Sequence, residues 1–93
     1  MLTPEQCRAA RGWIGWTQQE LADKAGVGLS TLRAFESGQR TPIRNNLDGL
    51  RRAIEAAGVR LLFDNGKATG IAVNDSPPGE GGTSAEGVGA NAP

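Results

Sequence analysis

The stretch Gln18–Ser37, QQELADKAGVGLSTLRAFES, decides how this chain folds. Thr17 stands just before it and opens a capping box, Thr17-Gln18-Gln19-Glu20. In such a box the threonine hydroxyl serves the backbone N–H three residues on, and the glutamate reaches back to the threonine N–H. This predicts a short helix ending near Ala25, with Gly26 just past the end. A residue without Cβ adopts positive φ there without steric penalty. The next helix begins at Gly28, an acceptable N-cap, and runs through Glu36, with Gly38 as its stop. Leu21, Val27, Leu32 and Phe35 supply apolar contacts between the two helices, and Ala22 is small where they cross. Leu29, Ser30, Arg33 and Ser37 fall on the exposed side of the second of them.

Upstream, Thr3-Pro4-Glu5-Gln6 has threonine at the N-cap, proline at the first helical position and glutamine at the capping-box position. The helix it opens reaches about Ile14 and stops at Gly15. Downstream, a turn from Gly38 to Pro42 leads to a fourth helix, which Asn45 or Asn46 can cap and Gly58 ends. Leu47, Leu50, Ile54 and Ala57 recur at spacings of three and four, the pattern of one buried stripe. The pattern then changes. Val59–Phe63 is short and apolar, Asn65-Gly66 is a strong hairpin-turn signal, and Gly70–Val73 reads as a returning strand. An isolated hairpin is barely stable in water, so it must pack on the helices or pair with another chain.

The expected fold is therefore mainly α. Residues 1–58 form a four-helix domain, residues 59–73 a β-strand or hairpin, and residues 74–93 a disordered tail rich in Gly, Pro, Ser and Ala with one aliphatic residue, Val88. The whole chain has 93 residues, enough for one small domain. Ten basic and ten acidic residues cancel, but unevenly: residues 1–73 hold all ten basic residues and seven of the acids, a balance of +3, and the tail carries −3. One cysteine and no histidine exclude a disulfide framework and leave little for a metal site; no cofactor is implied. No apolar run approaches membrane-spanning length, and the N-terminal stretch does not read as a signal peptide. The expected setting is cytoplasmic. Neither paired carboxylates of catalytic spacing nor a GxSxG or phosphate-loop motif is present, so the chain does not read as an enzyme.

Two short helices joined by a glycine-containing turn make a helix-turn-helix, whose second helix fits the major groove of B-DNA. The string WTQQELADKAGVGLSTLRAFESGQRTP resembles the phage-repressor/Cro, or XRE, class of helix-turn-helix regulators over residues 3 to about 59. Its matching elements are Thr17-Gln18, Glu20-Leu21-Ala22, Ala25-Gly26-Val27, Ser30-Thr31-Leu32, Phe35-Glu36 and Gly38. The resemblance implies a sequence-specific regulator of transcription, a dimeric repressor that lays residues 28–37 in the major groove of a palindromic operator on double-stranded DNA. It places Gln18 against a phosphate, with Thr17 beside it. Leu29, Ser30 and Arg33 face base edges, flanked by Gly28, Thr31 and Ser37. Arg40, Thr41 and Arg44 lie along the sugar-phosphate backbone. It also implies a buried or half-buried salt bridge between Arg11 and Glu36. The family often has a polar residue where this chain has Leu29, which suits a thymine methyl rather than a bidentate contact to adenine.

Plainer roles compete with these. A lone helical arginine is more often a solvated residue; the motif reverses that preference for Arg33. Trp13 and Trp16 are expected in the core or at a dimer surface, and Cys7 as a small apolar residue. A homodimer is expected because the core is small, with Leu61, Phe63, Ile71 and Val73 at its interface. The alternative is an antitoxin or adaptor that binds a protein partner through its tail and DNA only for autoregulation.

Overall fold

The computed structural model describes residues 1–73. The disordered-tail expectation and the alternative built on a tail-bound partner concern residues 74–93, outside the described residues. The chain forms α1 (Pro4–Ile14), α2 (Gln18–Ala25), α3 (Leu29–Glu36), α4 (Arg44–Ala56), β1 (Val59–Asp64) and β2 (Lys67–Val73). The fold is mainly helical, with one antiparallel hairpin at its end.

Both capping boxes form. The Thr3 hydroxyl accepts the Gln6 N–H at 3.2 Å, and Gln6 Oε1 accepts the Thr3 N–H at 3.1 Å. The Thr17 hydroxyl accepts the Glu20 N–H at 3.0 Å, and Glu20 Oε1 accepts the Thr17 N–H at 2.8 Å. Gly26 sits at φ 73°, the left-handed conformation that lets the chain leave α2 and turn into α3 within three residues.

α4 departs from expectation at both ends. Its N-cap is Ile43, with no side-chain hydrogen bond, so neither Asn45 nor Asn46 caps it. Pro42 and Leu47 are both buried and fix where the chain enters the helix. That register starts the helix at Arg44 and places both asparagines within its first turn. At the other end Ala57 is the exposed C-cap, not part of the buried stripe. The inward face is Leu47, Leu50 and Ile54, with Ala53 packed beside them.

The core gathers Leu2, Cys7, Ala10, Leu21, Ala22, Leu32, Phe35, Leu47, Leu50, Ile54 and Val59. It joins all four helices to the first residue of the hairpin. Gly49 marks the closest helix crossing: a Cβ there would lie 2.5 Å from the Ala25 backbone oxygen, so only glycine lets α4 approach the end of α2. This fixes the helix immediately preceding the α2–α3 turn.

The hairpin turns at Asn65 (φ 54°) and Gly66 (φ 82°). Positive φ at both positions is what a two-residue turn matching the strand twist requires. The returning strand starts at Lys67, three residues before the expected Gly70, because pairing continues up to the turn. Phe63 pairs with Ala68 and Leu62 with Gly70, so Thr69 is the extra residue of a bulge. Leu61 and Ile71, a cross-strand pair, pack on the helical core together with the buried Val59.

Candidate nucleic-acid interface

α3 has two faces. Leu32, Phe35 and Glu36 point inward and are buried. Ser30, Arg33 and Ser37 are exposed, and Leu29 is half-buried beside them. Spacings of three and four put these four residues on one side of a helix. The helix therefore carries a buried stripe and an outward stripe, and the acid on the buried stripe is what anchors it.

A buried carboxylate is costly unless it is paired and hydrogen-bonded. Glu36 meets both conditions. Arg11 Nε donates to Glu36 Oε2 and Arg11 Nη2 to Glu36 Oε1, each at 2.9 Å, a two-pronged ion pair between α1 and α3. The Gln18 side-chain amide donates to Glu36 Oε1 at 2.9 Å, and the Cys7 thiol to Glu36 Oε2 at 3.2 Å. Arg11 also reaches the Trp16 carbonyl at 3.2 Å, tying in the turn between α1 and α2. Arg8 Nη1 donates to the Glu36 backbone carbonyl, one of the last that α3 leaves without a helical partner. One carboxylate thus locks α1, α2 and α3 together.

The ionisation of the cluster follows from this arrangement. Burial by itself would raise the Glu36 carboxyl, but hydrogen bonds from Arg11, Gln18 and Cys7, with the Arg11 charge, outweigh it and hold the group below its ordinary value. The Arg11 guanidinium is pushed up, chiefly by its hydrogen bond to Glu36. Burial, then the hydrogen bond to Glu36, pushes the Cys7 thiol far up, so it stays protonated and serves as a donor.

The sequence-predicted residues fall as follows. Thr17, Gly28, Ser30, Arg33, Ser37, Arg40, Thr41 and Arg44 are exposed, while Gln18, Leu29 and Thr31 are half-buried. Thr17 and Gln18 belong to the start of α2, Arg40 and Thr41 to the connection from α3 to α4, and Arg44, expected in that loop, is the first residue of α4. The exposed Ser37 hydroxyl donates to the Ala34 carbonyl at 3.1 Å. Arg33, Arg40 and Arg44 take part in neither of the ion pairs formed among the described residues. Of the four hairpin residues, Leu61 and Ile71 pack on the chain's own core, Val73 is half-buried and Phe63 is exposed. Trp16 packs against the core with the Lys24 ammonium 5.1 Å from its ring centre, whereas Trp13 is 65% exposed.

The profile of the family described as helix-turn-helix matches residues 8–54, from the middle of α1 to the last turn of α4. This chain belongs to the XRE/Cro-type helix-turn-helix family. A comparison with curated proteins gave no match. The family is one of DNA-binding transcription regulators rather than enzymes. No helix among the described residues is long and apolar enough to cross a membrane.

Four structural roles in this helix-turn-helix protein escape a reading of the motif. Cys7 is more than apolar filling, since its thiol donates to Glu36. Arg8 supports the end of α3. Gly49 admits the backbone of α2. Gln6, visible as a capping residue, also reaches the hairpin. No spacing rule signals the first three; for Gln6 the choice of glutamine over glutamate was the available hint.

Proposed function

We propose that this helix-turn-helix regulator is a cytoplasmic, sequence-specific repressor that binds a palindromic operator as a homodimer, with α3 in the major groove. One observation carries the reading: α3 is fixed from inside by the Glu36 cluster while its outward polar residues, Ser30 and Arg33, are exposed. Rigid presentation of a polar helix face is what base readout requires.

Arg33 reads a base edge, with guanine the commonest partner of arginine, and Ser30 donates or accepts beside it. Leu29 packs on a thymine methyl. Gln18 contacts a phosphate while its amide braces α3 through Glu36. Arg40, Thr41 and Arg44 follow the sugar-phosphate backbone and set register rather than sequence. Thr17, Gly28, Thr31 and Ser37 border this surface. Two copies joined through the hairpins, with Phe63 and Val73 at the contact and Leu61 and Ile71 supporting it, present recognition helices about 34 Å apart.

The test is selection of binding sites from random duplex DNA with the full chain, followed by a footprint on the recovered site. Two symmetric protected half-sites centred about 10 base pairs apart are expected. A single unpaired half-site would reject the dimer, and recovery of no preferred sequence would reject base readout.

A further inference from the structure

The two capping boxes of this protein use different residues at the same position. The exposed box at the start of α2 has Glu20; the box at the start of α1 has Gln6, which is 3% exposed. Either residue closes a capping box, because the box needs only an acceptor oxygen. Gln6 Oε1 does that work by accepting the Thr3 N–H. Its other end does something a glutamate cannot: Gln6 Nε2 donates to the Leu62 carbonyl and to the Gly70 carbonyl, both at 3.0 Å. Leu62 and Gly70 are a cross-strand pair directly beside the hairpin bulge. One buried amide therefore holds both strands of the hairpin, 56 and 64 residues away in sequence, against the first turn of α1.

The hairpin also rests on the helical core through the side chains of Val59, Leu61 and Ile71 and follows α4 after the short link through Gly58. Apolar contact is non-directional, so it tolerates sliding and rocking. Two hydrogen bonds from one rigid amide do not. We infer that Gln6 is a positioning residue for operator recognition: by fixing the hairpin on α1, it sets the separation and angle of the two recognition helices and hence the half-site spacing the protein accepts. This rests on the proposal that the hairpins join the dimer.

The experiment compares wild type, Gln6→Glu and Gln6→Met as full chains. Gln6→Glu keeps the capping acceptor and removes both donors; Gln6→Met removes donors and acceptor but keeps the length of the buried chain. Each is measured by sedimentation, by hydrogen exchange, and by affinity for the selected operator and for versions with half-sites one base pair closer or farther apart. Wild type should prefer the selected spacing by at least about tenfold. Both variants should remain dimers, lose exchange protection in β1 and β2 but not in α2–α4, and show a spacing preference reduced to about threefold or less. A dimeric wild type with variants of unchanged spacing preference overturns the role of Gln6 alone. Loss of protection throughout the helices also overturns it, by making Gln6 a general core residue. A monomeric wild type overturns the dimer reading and this inference with it.

Discussion

On the inward side of α3, the Glu36 carboxylate meets Arg11, Gln18 and Cys7 within 3.2 Å. On the outward side, Arg33 forms no ion pair among the described residues, and the same holds for Arg40 in the connection that follows and Arg44 at the start of α4. One helix thus separates charge used to build the protein from charge left for a partner. The two groups should respond differently to substitution: inward changes should cost stability, and outward changes should cost DNA affinity while leaving stability nearly untouched.

The largest effect is expected from Glu36→Gln. It leaves Arg11 without its counter-ion in a site where the arginine side chain is 22% exposed. The loss should be about 3 kcal/mol of unfolding free energy, the low end for breaking a buried pair, since Arg11 keeps some access to water. Urea denaturation measures it. The same residue gives a pH signature. A carboxyl held below its ordinary 4.5 in the folded state is protonated first in the unfolded chain. Its stabilisation is therefore present at neutral pH and is lost as pH falls through that value and below. Glu36→Gln should flatten this part of the stability profile; an unchanged acid limb would show that Glu36 is not the titrating group.

Gly49→Ala comes next. The added Cβ meets the Ala25 backbone oxygen at 2.5 Å, which no rotamer change can relieve. A loss of about 1–3 kcal/mol is expected, the usual cost of overpacking. Thermal denaturation checks it, and a stabilised variant would show that α2 and α4 separate without cost. DNA affinity should follow only as far as the α2–α3 turn is displaced.

Arg40→Ala belongs to the outward group and should leave the melting temperature in place. It should weaken binding to every duplex alike and reduce the slope of log affinity against log salt by about 0.9, the loss of one phosphate contact. An unchanged slope would remove Arg40 from the phosphate-contacting surface.

The inward and outward faces were not equally legible in the sequence. Capping boxes at Thr3 and Thr17, the glycine after α2 and the apolar positions of α2 and α3 are local signals, and the helices follow them. The Arg11–Glu36 pair was legible only as something the family resemblance implies, and the structure forms it. The start of α4 was not, since buried Pro42 and Leu47 override the capping preference of two asparagines. Nor were the contacts of Cys7, Gly49 and the far end of Gln6. Each depends on a crossing between elements distant in sequence, and propensity and periodicity carry no information about such crossings. The outward residues are identifiable as exposed, yet exposure alone does not say what they touch.

That last point is decided by measuring Arg33→Ala and Arg40→Ala side by side on the selected operator and on random duplex DNA. Arg33→Ala should lose about 1–3 kcal/mol on the operator, lose little on random DNA, and relax the preference at one base pair per half-site. Arg40→Ala should lose the same amount on both. Equal losses on operator and random DNA for both variants would contradict base readout by α3.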